Sequence, residues 1–395
     1  MALKFSVPTN WQWDLIRSLT GDCIDEIFGK LKDDPVGGLR NAYSLPAISR
    51  KQAVRYIQEI HKKGMKFNYV LNSICLNNYE WTRRGQGKIR GFLDWLMAAG
   101  VDRVTVSMPY LLQVVKKGYP GLAITVSTGA GVDTIEKAKY WESLGADEIT
   151  LNSVAVNRNF SLLRKIKDAT KCGIRLIANE CCLYQCPFRV YHCAIGSHGT
   201  QSQHFLKGFS IDYPTVICNY RKISSPMELI RSPWIRPEDL GHYEDIGIDR
   251  IKLVDRVMST EAILLISKAY HDRSYEGNLL DLFPFVTKYF MYKNSGLSHK
   301  LKYFFRPFSV NLFKLAQAKD LIRPHIYVDN KSLDNFISHF LDNDCSKTSC
   351  QACGYCRKVA DNLVRIDKKS QQSSVKKYEK YLDDLVSGSM FRFFS

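Results

Sequence analysis

The stretch Ile89-Arg-Gly-Phe-Leu-Asp-Trp-Leu-Met-Ala-Ala-Gly-Val-Asp-Arg-Val-Thr-Val-Ser107 decides the fold. Ile89–Ala99 has apolar residues at helical spacing, Gly100 suits a helix C-cap, and Arg103–Val106 is a short β-branched run. The same order recurs on either side. Arg50–Lys63 is followed by Gly64 and Lys66–Leu71, Thr134–Leu144 by Gly145 and Glu148–Leu151, and Ser161–Thr170 by Gly173 and Ile174–Ala178. With Leu3–Val7, Ile24–Phe28, Ala123–Val126 and Arg250–Val254 the strand candidates number eight. Short strands alternating with helices predict an α/β chain folded as a TIM-like (β/α)8 barrel.

In such a barrel chemistry gathers at the C-terminal ends of the strands. The residues there form a polar ring that includes Asn72, Ser107, Ser127, Thr128, Asn152, Asn179, Glu180, Asp255 and Arg256. Capping of the following helices explains such polarity equally well at any one position. As candidates, Arg256, Asp255 and Lys252 serve as substrate-binding or acid–base groups, and Asn72 and Asn152 orient polar atoms of a substrate.

The segment 180–249, between the seventh and eighth strands, far exceeds the usual βα loop of about two to six residues. It carries Cys181, Cys182, Cys186, Cys193 and Cys218, with His192, His198 and His204. Adjacent Cys181 and Cys182 do not comfortably share one metal, so the expected ligand set is Cys182, Cys186, Cys193 and Cys218. Cys181 stands as the alternative to Cys193. A C-x3-C element without a following C-x2-C lacks the radical S-adenosylmethionine signature.

A second set, Cys345-x4-Cys350-x2-Cys353-x2-Cys356, puts four thiols in one short loop. Its first three positions share the C-x4-C-x2-C spacing of plant-type ferredoxins, and its repeated C-x2-C resembles the bacterial type. Gly354 and Ala352 ease the tight turns needed to wrap a cluster. Four thiolates also satisfy tetrahedral zinc, the main rival. Iron–sulfur is favoured, with zinc kept as the alternative for this second site. Cys23, Cys75 and Cys172 have no partners in sequence and read as small core residues.

Twelve cysteines in 395 residues, with no apolar leader in Met1–Asn10, point to reduced thiols in a cytoplasmic protein. No apolar run approaches the roughly 20 residues that a membrane span needs. The net charge of +17 invites an anionic partner: nucleic acid, a membrane surface or an acidic small molecule. Residues 276–340 form an aromatic and basic extension, with Tyr289, Phe290, Phe305, Phe308 and Phe313 among Lys288, Lys293, Lys314 and Arg323. Such a mixture can stack on RNA bases and neutralise phosphates, or it can be the core of a helical appendage. Residues 341–395 hold the second cysteine set and a charged tail, expected to be helical in part and frayed. Residues 1–275 are the barrel.

Several stretches resemble the U32 family, long described as collagenase-like peptidases. They are Gly100-Val-Asp-Arg-Val-Thr-Val-Ser107, Tyr119-Pro120 with Ile124-Thr-Val-Ser-Thr128, and Leu144-Gly-Ala-Asp-Glu-Ile-Thr-Leu151. Pro237-Glu-Asp-Leu240 and Ile246-Gly-Ile-Asp-Arg-Ile-Lys252, followed by Arg256, look like the family's closing strand and helix. The likeness runs from about Leu3 to Tyr275. It implies a [4Fe-4S] cluster after the seventh strand, held by Cys182, Cys186, Cys193 and Cys218, with Arg256 facing the site to bind a carboxylate. It also implies oxygen-independent hydroxylation of RNA bases or a quinone precursor, with prephenate as oxygen donor; peptidase activity is the older assignment. Three departures mark a divergent branch. Val254 and Asp255 stand where a glutamate and glycine are expected, Gly129 and Gly131 replace polar residues, and the Cys345–Cys356 module lies outside the familiar barrel.

The expectation is therefore an iron–sulfur redox or hydroxylation enzyme, its second cluster passing electrons from a carrier such as a ferredoxin or flavodoxin. A U32-type peptidase is one alternative, and a zinc-stabilised nucleic-acid-binding protein is the other.

Overall fold

The computed structural model describes residues 3–19, 23–205, 208, 211–283, 301, 305 and 308–392. Eight parallel strands close into a barrel: β1 (Lys4–Pro8), β2 (Ile24–Gly29), β3 (Lys66–Leu71), β4 (Arg103–Val106), β5 (Ala123–Val126), β6 (Glu148–Thr150), β7 (Gly173–Ile177) and β8 (Arg250–Lys252). The last pairs with the first in the register Lys4↔Arg250 and Ser6↔Lys252. The eight strands expected from the sequence are all present.

Helices α1 (Trp13–Ser18), α2 (Arg50–Lys62), α3 (Arg83–Ala98), α4 (Pro109–Gly118), α5 (Ile135–Ser143), α6 (Ser153–Val156), α7 (Phe160–Ala169) and, following β8, α12 (Thr260–Asp272) connect the strands. The long excursion between β7 and β8 contains α8 (Arg189–Gly199), α9 (Tyr213–Ser224), α10 (Met227–Arg231) and α11 (Leu240–Glu244). Local sequence sets these boundaries. The Ser49 side chain and Gln52 form a capping box at the start of α2. At the far end of α3, Gly100 takes φ +80°, which lets Val101 N–H return to the Leu96 carbonyl at 3.1 Å.

Inside the barrel, the first half of the strands packs charge rather than aliphatic side chains. Arg175 of β7, fully buried, lies 2.7 Å from Glu26 of β2 and 2.5 Å from Glu148 of β6. Arg103 reaches Glu26 at 3.2 Å, and Arg250 reaches Glu148 at 2.9 Å. Ser6, Asn68 and Thr125 complete the hydrogen bonding of the two glutamates. Burial opposes ionisation of Glu26, but Arg175 prevails and holds its carboxyl well below the usual range.

Beyond the barrel, β9 (Ile326–Val328) pairs antiparallel with β10 (Val364–Ile366). The helices of this part include α13 (Cys350–Cys353), α14 (Tyr355–Leu363) and α15 (Lys368–Val386). The hydrophobic core continues from the barrel into Ile326, Val328, Phe336, Phe340 and Ala360. The tail differs from the frayed segment expected. α15 is one 19-residue helix that buries Tyr378, Tyr381 and Leu382 and packs along α9. Gln371 donates to the Ile223 carbonyl at 2.7 Å and Tyr220 to Glu379 at 3.0 Å. Tyr378, Tyr381 and Leu382 fall in residues 378–385, the one apolar stretch of the tail, which a neighbouring helix covers.

Of the basic and aromatic extension, Lys288, Tyr289, Phe290, Tyr292, Lys293, Lys300, Lys302, Tyr303, Phe304 and Arg306 lie outside the described residues. Phe305, Phe308 and Phe313 are exposed. Among the described residues no helix is long and apolar enough to cross a membrane.

Candidate functional site

The C-terminal ends of the strands open into a cavity of about 130 Å³, roofed by the excursion after β7. Cys182, Cys186, Cys193 and Cys218 all line it, together with Asn72, Lys252, Asp255 and Arg256. The thiols reach it from three elements: the loop after β7, helix α8 and helix α9. Cys182 and Cys186 both feel the charge of Cys218, and Cys193 that of Cys186. Burial pushes the thiols of Cys182, Cys186 and Cys193 up, a bias that binding a cation would reverse.

The donor set is therefore thiol-rich and shared by one cavity, but it does not close on a point. Among the described residues no three His, Cys, Asp or Glu side chains converge as one metal ion requires. Zinc–sulfur bonds of about 2.3 Å draw four thiolates nearly into contact. Four thiols bordering one cavity are a donor set whose chemistry fits thiolate-bound iron or zinc.

Cys181 also lines the cavity and is buried. Its thiol is 3.6 Å from the Ser232 hydroxyl, and its carbonyl accepts a hydrogen bond from Lys222. His192 lines the cavity and sits 3.2 Å from Asp212, whereas His198 stacks on His204 with ring centroids 4.8 Å apart. Cys23, Cys75 and Cys172, expected in the core, are only partly buried.

Cations line the same cavity. Arg256 is buried, and its Nη1 has no hydrogen-bond partner. Burial lowers its pKa to about 10. Lys252 is also buried, its ammonium 3.8 Å from the centre of the Phe28 ring. Burial, reinforced by Arg175, lowers the Lys252 pKa to about 7, so this amine exchanges its proton near neutrality. Asp255 does not stand free as an acid–base group, because Arg40 binds its carboxylate and the Arg256 N–H donates to it at 2.5 Å.

Three further cations were not singled out from the sequence. Arg40 arrives on the β2–α2 loop, Arg189 begins α8 and Lys222 closes α9. Arg189 binds Glu180 at 3.2 Å and Thr128 at 2.7 Å. Burial opposes ionisation of Glu180, but Arg189 and its hydrogen bonds hold the carboxyl down at about 2. Arg189 was detectable as a basic residue only three positions after Cys186. Arg40 carried no such signal, since only the folded loop brings it over the mouth. That loop rests on α8, where Gly196 is indispensable: a Cβ there would lie 2.6 Å from the Leu39 backbone.

Of the polar ring, Asn72, Ser127, Thr128 and Glu180 line the cavity. Asn152 does not; its amide donates to Asp133 at 3.1 Å, which corrects its expected role in substrate binding. Asn179 is structural as well, binding the Val254 N–H at 2.7 Å and the Leu282 carbonyl at 3.2 Å.

The second cysteine set lines a separate cavity of about 70 Å³. Cys345, Cys350, Cys353 and Cys356 all border it, beside Arg158, Tyr184, Arg231 and His339.

Comparison with known proteins adds the family. Residues 38–181 match the sequence profile of Peptidase family U32. The uncharacterized protease MJ1657 of Methanocaldococcus jannaschii is 28% identical over 305 residues, covering 77% of this chain and 79% of that protein. Among solved structures, the U32 peptidase Mk0906 aligns at 22% identity and TM-score 0.49, covering 64% of this chain and 92% of that one. A glycerol uptake operon antiterminator-related protein from Thermotoga maritima aligns at 13% identity and TM-score 0.29, covering 50% and 92%. The profile match, which spans the loop bearing Arg40 through Cys181, and the relative along most of its length make this chain similar to U32 family proteins.

Proposed function

We propose that the chain is an iron–sulfur-dependent enzyme that carries out a redox or hydroxylation-type change on a small substrate bearing a carboxylate. The observation that carries this reading is the shared cavity, which four thiols line together with Arg256, whose buried Nη1 has no hydrogen-bond partner. Cys182, Cys186, Cys193 and Cys218 would hold a [4Fe-4S] cluster, which supplies one-electron chemistry when bound.

The chain's own residues do the rest. Arg256 and protonated Lys252 bind the substrate anion, a guanidinium being suited to a bidentate carboxylate. Arg40 is held by Asp255 and Arg189 by Glu180, so both stay oriented at the rim without becoming neutral. Asn72, with Nδ2 on Ser127 at 3.1 Å, is a fixed amide for a second polar atom of the substrate. Lys252 loses its charge as pH rises through about 7, so anion affinity falls above neutrality while the free amine becomes able to accept a proton.

Anaerobic purification, with iron and acid-labile sulfide determined on the wild type and on a Cys182→Ser/Cys218→Ser variant, tests the reading. Matching iron and sulfide that fall in the variant are expected; wild-type protein with stoichiometric zinc and no sulfide overturns it.

A peptidase is the second reading, favoured by the relative's description as a protease. It requires an activated nucleophile. The cysteine–histidine contacts among the described residues, Cys23–His271 at 2.9 Å and Cys353–His339 at 3.6 Å, involve no residue of the barrel cavity. Cleavage of a defined peptide by iron-free protein, abolished by a chelator, would establish the peptidase instead.

A further inference from the structure

The second cysteine set lies against the first. Tyr184 lines the outer cavity and feels the charges of Cys345 and Cys350, while its neighbour Leu183 and the flanking Cys182 and Cys186 line the barrel cavity. Ser153 borders the outer cavity and hydrogen-bonds Glu180, which borders the inner one. Asn159 fixes the outer loop to the barrel through Asp344 at 3.1 Å.

Beneath the outer set sits a cation without a carboxylate. Arg158 is buried, its guanidinium 4.1 Å from the Trp234 ring centre and 4.9 Å from that of Phe336. Two of its nitrogens donate to the Ile230 and Trp234 carbonyls at 2.7 and 3.2 Å, and Nε has no partner. Among the described residues no carboxylate comes within ion-pair distance of it; the charges it feels are those of Cys356, Tyr243, Asp239 and Cys345, in that order. A buried guanidinium with no ion-pair partner is costly, and an anion at the cysteines would add to the partial compensation from Asp239. Four thiolates around a [4Fe-4S] core of charge 2+ or 1+ carry two or three net negative charges.

We propose that Cys345, Cys350, Cys353 and Cys356 hold a second [4Fe-4S] cluster, with Arg158 as its positioning cation, and that it exchanges single electrons with the barrel site across the Cys182–Cys186 segment. The metal site stands on its own observations, whereas the exchange rests on the cluster reading given above for the barrel. In each exchange a one-electron donor of the ferredoxin or flavodoxin class is oxidised by one electron. The outer cluster takes that electron and gives it to the inner one, and no bond forms or breaks.

Full-length protein reconstituted anaerobically with iron and sulfide is expected to hold about eight iron atoms per chain. Cys350→Ser/Cys353→Ser and Cys186→Ser/Cys218→Ser variants are each expected to keep about four. Undiminished iron in the first variant overturns the outer cluster; undiminished iron in the second overturns the barrel reading and leaves the outer one standing. Electron paramagnetic resonance of the reduced wild type needs no variant. About two spins per chain are expected, with a spectrum broader than the sum of the two variants'. One spin with a stoichiometric zinc overturns the outer cluster, and a simple sum overturns the exchange. Arg158→Gln, or Arg158→Lys as the milder control, distinguishes positioning from packing. Loss of the cation lowers the outer cluster's reduction potential in the Gln variant, while Lys restores most of it and the inner potential stays put. An unchanged outer potential in the Gln variant overturns the role given to Arg158.

Discussion

The two ends of the barrel use the same kinds of residue to opposite effect. In the first half of the strands, Arg103, Arg175 and Arg250 meet Asp25, Glu26 and Glu148, three cations against three carboxylates, each in at least one ion pair. At the mouth, Lys30, Arg40 and Arg189 pair with Asp34, Asp255 and Glu180. Lys222, Lys252 and Arg256 have no carboxylate partner among the described residues. Charge that is matched within the chain holds the barrel together; charge left over marks where something anionic is to be received. Four thiols beside that surplus are consistent with a bound group that is itself negative.

The sharpest way to break this contrast is at the balanced end. Glu26→Gln leaves Arg175 with one carboxylate instead of two and should cost about 3–5 kcal/mol of folding stability, read by urea unfolding. The pH dependence follows the same residue. Because its folded pKa is depressed, its contribution is complete above the ordinary glutamate value of about 4.3 and is lost only as pH falls toward the folded value. Wild type and variant should therefore converge in acid, and a constant gap between them down to the lowest pH would contradict the ion-pair account.

At the unbalanced end the expected outcome is reversed. Arg256→Met should leave folding nearly unchanged or raise it, since an unpaired buried cation is removed. Affinity for small carboxylates should drop by about 1.5–3 kcal/mol, roughly 10- to 150-fold, in calorimetric titration. A variant that unfolds while binding normally would place Arg256 with the structural cations.

A smaller effect tests how the roof meets the mouth. Gly196→Ala forces the β2–α2 loop off α8 and should cost about 1–3 kcal/mol, with weaker anion binding because Arg40 rides on that loop. Lys252→Met is the subtlest: it should remove the change in anion affinity that wild type shows around pH 7, with little effect well above it.

Much of the architecture was legible because it is periodic. Helix, glycine and β-branched strand repeat so regularly that seven strands begin within one residue of the position expected, and β8 starts where Arg250 does. The paired charges were not legible. Glu26 and Arg175 are far apart in sequence, and nothing in a strand's own composition says that its inward glutamate meets an arginine three strands away around the closed barrel. The cysteines were conspicuous by spacing, and the cavities gather the two sets separately. Arg40 and Asn152 show the limit in opposite directions. A loop arginine became part of the mouth without any local signal, while a strand-end asparagine with every local signal turned out to hold a neighbouring aspartate.

Helix α15 fastens α9, and α9 carries Cys218 and Lys222. During synthesis, then, the barrel strands and three of the four inner thiols are in place well before the fourth has the surface it leans on. Until residues 368–386 have left the ribosome, the helix presenting Cys218 has one flank bare. The seating of Cys218 in the cavity is thereby tied to the arrival of a segment more than a hundred residues downstream, an order of assembly written into which helix touches which.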